Sequence, residues 1–168
     1  MRRRSWLALG ALSTVALVVG GGAIALWQPG LRDSKLSPAG QEVFGNIARG
    51  LLEGSLPTDS AARVAALQAL LVRIDPLVAG LPPHAQAELS QLLSLLASAG
   101  GRRLLTGLSQ PWPEASVAEI QQALQSMRLS AVSLKQQAYQ ALHDIVGGAY
   151  FADASTWTLL AYPGPREI

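Results

Sequence analysis

Two histidines, His84 and His143, and a scatter of single carboxylates are the residues whose types could move protons or hold a metal. His84 follows Pro83 at a predicted helix start, where solvent exposure is its expected fate. His143 stands beside Asp144 on a predicted helix. Adjacent helical residues do not face each other, so an acid–base dyad has weak support at that spacing. Glu42, Glu53, Glu88, Glu114 and Glu119 fall singly, mostly at helix starts or on solvated faces. No His-x-x-x-His or Glu-x-x-His pair occurs, so the metal patterns of helical bundles are missing. The chain has no cysteine, which excludes disulfides, thiolate metal sites, iron–sulfur clusters and covalent haem attachment. Gly20-Gly21-Gly22 lies in an apolar run and follows no strand, so a nucleotide fingerprint lacks its setting. The expectation is a chain with no catalytic, cofactor-binding or metal-binding residues of its own, hence not an enzyme.

The other chemistry these residue types offer is recognition. Gln121, Gln122, Gln125, Gln136, Gln137 and Gln140 crowd two predicted helices where Lys and Glu are more usual. Covering neutral amides costs less than covering charges, so such a face suits a later partner; compositional drift explains it equally well. Most aromatic residues beyond residue 27 gather in one stretch, at Tyr139, Tyr150, Phe151, Trp157 and Tyr162. Tyr and Trp in such a cluster are typical of binding hot spots, although a small bundle could use them to close its own core. Tyr162-Pro163-Gly164-Pro165 cannot be helical and is expected to run as an extended or turning arm.

The elements that must position these residues are helices. Ser37 followed by Pro38 starts one, with Val43, Phe44, Ile47, Leu51 and Leu52 on its apolar face and Gly54 and Pro57 ending it. Thr58 or Asp59 caps a second, carrying Val64, Leu67, Leu70, Leu71 and Ile74, which Asp75-Pro76 is expected to break or kink. Pro82-Pro83 opens a third, apolar on more than one face and so expected at the centre of the core, and Gly100-Gly101 is expected to stop it. Arg102-Arg103 then reads as an exposed hinge or a short extra turn, and Pro111-Trp112-Pro113 as a rigid connection. Ser116 with Glu119 forms a capping box for a fourth helix with Val117, Ile120, Leu124 and Met127. A fifth carries Leu134, Ala138, Leu142, Ile145 and Val146, loosened at its end by Gly147-Gly148. No alternating β-branched run is present. The fold class is therefore all-α, a small bundle of five to six helices after an N-terminal apolar leader or anchor helix. The organisation expected is a leader over 1–27, a linker over 28–37 and a helical domain with an extended C-terminal arm over 38–168.

The leader begins Arg2-Arg3-Arg4-Ser5-Trp6-Leu7, and no charge interrupts the apolar residues from Trp6 to Trp27. Ala23-Ile24-Ala25 offers the small-x-small pattern of a signal-peptidase site. The same run is long enough to span a bilayer as a retained anchor, and the residues leave cleavage and retention both open. Arg3, Arg4, Trp6 and Leu7 resemble the twin-arginine motif, with Trp6 where Phe is more usual and Ala8 where a Lys is missing. An ordinary secretory leader is the alternative. Charge agrees with export and not with nucleic acid. The chain has 13 Lys+Arg against 11 Asp+Glu, but three of the arginines are in the leader, and the remainder is close to neutral. No basic stripe is left for a phosphate backbone.

The closing stretch, with Tyr150-Phe151, Trp157 and Tyr162-Pro163-Gly164-Pro165, resembles the small-subunit family of membrane-associated, flavin-dependent sugar and alcohol dehydrogenases described as gluconate 2-dehydrogenase subunit 3-like. That family pairs an Arg-Arg leader with a short helical domain, paired aromatics at a helix end, a nearby Trp and Gly-Tyr-x-Gly-Pro; Ala161 stands where Gly is frequent. The motif part covers about 30 residues, the rest being similar in length and helicity. The resemblance implies a non-catalytic accessory (gamma) subunit that binds, matures and escorts a FAD-dependent dehydrogenase of the glucose–methanol–choline type to the periplasm. It implies FAD in the partner and none in this chain, a cytochrome subunit where one is present, the twin-arginine translocase as exporter, and membrane contact through the N-terminal segment. Tyr150, Phe151, Trp157, Tyr162, Pro163, Gly164 and Pro165 are then the expected partner interface. The alternative is a free-standing exported or membrane-anchored helical binding protein.

Overall fold

Asp33 and Ser34 both take left-handed backbone, with φ of 51° and 59°. Two consecutive residues of that hand make the tight turn whose twist suits a hairpin. Around them β1 (Leu31–Arg32) pairs antiparallel with β2 (Lys35–Leu36), Leu31 opposite Leu36. The computed structural model describes residues 28–160 and 162–164. The export residues Arg3, Arg4, Trp6 and Leu7, the proposed cleavage at Ala25 and the end of the arm at Pro165 lie outside the described residues.

The segment expected as a linker is thus a packed hairpin. Leu31 and Leu36 are buried. The amides of Gly30 and Leu31 donate to the carbonyl and hydroxyl of Ser90, and the Leu36 amide to Asp75 Oδ1 at 2.9 Å. A side chain at Gly30 would collide with Leu93 and the Ser90 carbonyl, so only glycine lets the hairpin backbone lie this close.

Six α-helices follow: α1 (Pro38–Leu51), α2 (Ser60–Ala79), α3 (Pro83–Ala97), α4 (Ala99–Thr106), α5 (Val117–Arg128) and α6 (Ser133–Phe151). Among the described residues the fold is all-α apart from the hairpin, and none of these helices is long and apolar enough to cross a membrane. The centre belongs to α1, not to the third helix as expected. Val43, Phe44, Ile47 and Ala48 are fully buried, and α1 packs against α2, α3, α5 and α6. Its mean face is amphipathic enough for one contact stripe, yet small residues open the others: Gly50 brings the backbone against Ile120 of α5.

Helix interruptions differ from the expectation at three places. Pro76 does not end α2; the carbonyl that its missing N–H leaves unserved belongs to Val72, a residue 71% exposed to water. The third helix ends at Ser98, whose extended backbone separates α3 from α4. Gly100-Gly101 lies inside the first turn of α4, with Ser98 Oγ accepting from the Gly101 amide at 3.1 Å. Of the two readings of Arg102-Arg103, a short extra turn is nearer than an exposed hinge: both lie in α4, and Arg102 is buried, with Nη1 donating to the Ala97 carbonyl at 3.4 Å. The last helix runs through Gly147-Gly148 to Phe151.

Elsewhere local signals and structure agree. Ser37 and Asp59 cap α1 and α2 through the amides of Gly40 and Ala62. The Ser116–Glu119 box is present in both directions. Hydrogen bonds from the Ser116 hydroxyl and amide hold the Glu119 carboxyl below its ordinary range.

Candidate partner-binding surface

The carboxy-terminal segment is organised from the end of α6. After Phe151 the chain makes a 3-10 helix over Ala154–Leu160. Thr156 starts the turn by donating its hydroxyl back to the carbonyls of Tyr150 and Asp153. Asp153 Oδ1 accepts from the amide and hydroxyl of Ser155 at 3.0 and 2.7 Å. Short polar side chains bonding the backbone two and three residues away are the ordinary means of bending a chain out of a helix.

This turn is pinned to α2. Arg73 donates from Nε to the Ala149 carbonyl at 2.9 Å, and its Nη1 lies 3.0 Å from Asp153 Oδ2. The Ser155 bonds, and then the Arg73 guanidinium, hold the Asp153 carboxyl below its ordinary value of 3.8. A depressed carboxylate stabilises the fold above its unfolded pKa and loses that contribution as pH falls through the lower folded value. Acidification is therefore expected to release the segment after Phe151 only below pH 3.8. The indole N–H resonance of Trp157 should report it. A resonance unmoved until the helices themselves melt would count against the pin.

The arm then closes on Trp157. The Trp157 indole donates to the Phe151 carbonyl at 2.8 Å, and the Tyr162 amide donates to the Trp157 carbonyl at 3.1 Å. The rings of Trp157 and Tyr162 meet edge to face with centroids 5.3 Å apart. Gly164, at φ +99°, passes the same indole, a backbone conformation that suits glycine. The expected arm is therefore a turn folded around Trp157.

The structure divides the expected interface residues. Tyr150 is buried; its hydroxyl donates to the Ser55 carbonyl at 2.6 Å and burial pushes its pKa up. That corrects its assignment: Tyr150 is a core residue fastening α6 to the chain after α1, with no face free for a partner. Phe151, stacked edge to face on Tyr150, remains 37% exposed, and Tyr162 is 47% exposed. Trp157 and Gly164 are half-buried and Pro163 is exposed. Phe151, Trp157, Tyr162 and Pro163 thus stand together on one turn, apolar rings with an indole and a phenol already oriented. Such a surface offers ring faces and the Tyr162 hydroxyl for contact.

The remaining candidates are dispersed. His84 is exposed, as are Glu42, Glu53, Glu114 and Glu119, with Glu88 half-buried. His143 does meet Asp144, at 3.3 Å from Nδ1 to Oδ1, and its ring lies against Tyr139. Both side chains are more than half exposed, and Asp144 also accepts from Gln140 at 2.6 Å. The contact is a surface pair on one helix. Among the described residues no group of three or more His, Asp or Glu could hold a metal ion. All six glutamines of α5 and α6 are exposed. Four of them are engaged: Gln121 reaches across to the Gly50 carbonyl of α1, while Gln125, Gln136 and Gln140 bond within six residues of themselves. A hollow of about 380 Å³ lies where Gln28 meets Pro38, Glu42, Ser94 and Ser98.

Arg73 and Asp153 were not singled out from sequence. Asp153-Ala154-Ser155-Thr156 carries a turn signal at a helix end, but nothing local in sequence ties it to a residue 80 positions earlier. No family model, curated protein or solved structure matches the chain.

Proposed function

We propose that this chain is a non-catalytic accessory subunit that binds a FAD-dependent dehydrogenase and escorts it, already folded, to the periplasm. The observation that supports the reading most is the ordered aromatic turn. Phe151, Trp157, Tyr162 and Pro163 are held in place by backbone hydrogen bonds and the Arg73 pin while Phe151, Tyr162 and Pro163 stay exposed and Trp157 is half-buried. A preorganised aromatic patch loses little entropy on binding, which is the property expected of an interface hot spot. The Arg3-Arg4 leader supplies the address, and the resemblance at the closing stretch supplies the class of partner.

Co-expression with a leaderless FAD-dependent dehydrogenase tests the reading. The two chains are expected to co-purify, and changing Arg3 and Arg4 together to Lys is expected to leave the flavoprotein in the cytoplasm. Normal periplasmic arrival of the flavoprotein with that variant would rule out escort.

A further inference from the structure

Three of the exposed large apolar side chains, Leu104, Leu129 and Val132, are 62%, 69% and 53% exposed. They lie at one corner. Leu104 is in the last turn of α4, and Leu129 and Val132 form the connection between α5 and α6. Ser126 Oγ donates to the Thr106 carbonyl at 3.3 Å, which joins the end of α4 to the last turn of α5. Each apolar residue has a cation within three positions in sequence: Arg103 and Arg128, both exposed, and Lys135, half-buried. No carboxylate lies between Glu88 and Glu114, nor between Glu119 and Asp144. The charged side chains of these segments are therefore all basic.

Its place relative to the N-terminal segment is set by α4. At one end of this eight-residue helix, Ser98 lines the same hollow as Gln28, the first described residue. At the other end is the apolar corner, about 12 Å along the axis. Residues 1–27, apolar from Trp6 onward, thus join the body close to it.

We propose that this corner rests on an anionic lipid surface, with the apolar tips entering the interface and the three cations meeting headgroups. Apolar tips flanked by basic side chains are the chemistry that an anionic bilayer interface asks for. So few side chains bind weakly from solution. When the N-terminal segment is retained as a membrane anchor, the contact becomes intramolecular and sets the orientation of the body. The proposal goes beyond the accessory-subunit reading and does not depend on it.

The absence of cysteine makes the test direct. The full chain is inserted into phosphatidylcholine vesicles with or without phosphatidylglycerol, carrying a fluorophore on Leu129→Cys or, separately, on Leu104→Cys. Val72→Cys on α2, at a position 71% exposed, is the reference. Nitroxide-bearing lipids are expected to quench the Leu129 and Leu104 labels several-fold more than the Val72 label, and only with phosphatidylglycerol present. Arg128→Glu combined with Lys135→Glu is expected to bring quenching at Leu129 down to the reference level. Equal quenching at all three sites, quenching indifferent to anionic lipid, or shielding of Leu129 only on adding a protein partner would each overturn the proposal.

Discussion

Replacing Trp112 by alanine is expected to destabilise the fold by about 3–5 kcal/mol, the usual range for deleting a buried aromatic ring. Trp112 is fully buried, in a 3-10 turn between α4 and α5 that also contacts α1. Its indole donates to the Leu96 carbonyl at 2.8 Å. Leu96 is in the last turn of α3, where carbonyls have no partner within the helix. One side chain therefore fills the core and caps a helix end. Against a total of about 5–15 kcal/mol for a domain, that loss leaves little reserve. Urea denaturation followed by circular dichroism should show the midpoint falling with the slope unchanged. Trp112→Phe separates the two contributions: it keeps most of the volume and orphans the carbonyl, at a smaller cost of about 1–3 kcal/mol. A loss below about 1 kcal/mol for Trp112→Ala would mean that neighbouring helices close the cavity.

The sequence spoke clearly wherever the physics was local. Ser37-Pro38, Asp59 and Ser116 with Glu119 satisfy helix amides within three residues of themselves, and each is the observed cap. Apart from Leu52, which is the C-cap of α1, the periodic apolar residues named for the five expected helices lie in observed ones. What local reading could not reach were long-range partners. The hairpin at 31–36 is held by Ser90 and Asp75 more than by any strand propensity of its own. Gly100-Gly101 reads as a stop, yet Ser98 turns the chain first and the glycines sit in the next helix, where Gly101 passes close to the Leu95 carbonyl. Arg102 reads as solvated because arginine usually is; its burial follows from the direction in which Ser98 sends α4.

At the carboxy-terminal segment the same division separates two neighbouring aromatics. Tyr150 and Phe151 are adjacent on α6 and so project in different directions. Tyr150 turns inward to Ser55, and Phe151 turns outward. Sequence grouped them as a pair; only the placement of the chain after α1 decides which is core. The aromatic patch is correspondingly smaller than the motif, and its anchor is the pair Arg73 and Asp153.

That division makes the consequence of removing the arm specific. Ending the chain after Thr156 is expected to abolish capture of the dehydrogenase while leaving the helices folded. Thr156 and Asp153 complete the exit from α6, and both are retained, as are Tyr150 and the Arg73 pin. Among the described residues, the ring and hydrogen-bond contacts of Trp157 that would be lost are to Phe151, Tyr162 and Gly164, within the segment itself. A helical signal close to that of the full chain is therefore expected by circular dichroism. On the binding side, Trp157 and Tyr162 are the residue types that carry about 2 kcal/mol or more each at hot spots. Losing two together weakens capture by about a thousandfold if their contributions add. Trp157→Ala alone should release the Tyr162 turn and weaken capture by at least about thirtyfold. Undiminished capture by the truncated chain would move the interface elsewhere. Loss of helical signal would instead make the arm a brace for α6, with binding a consequence of its folding.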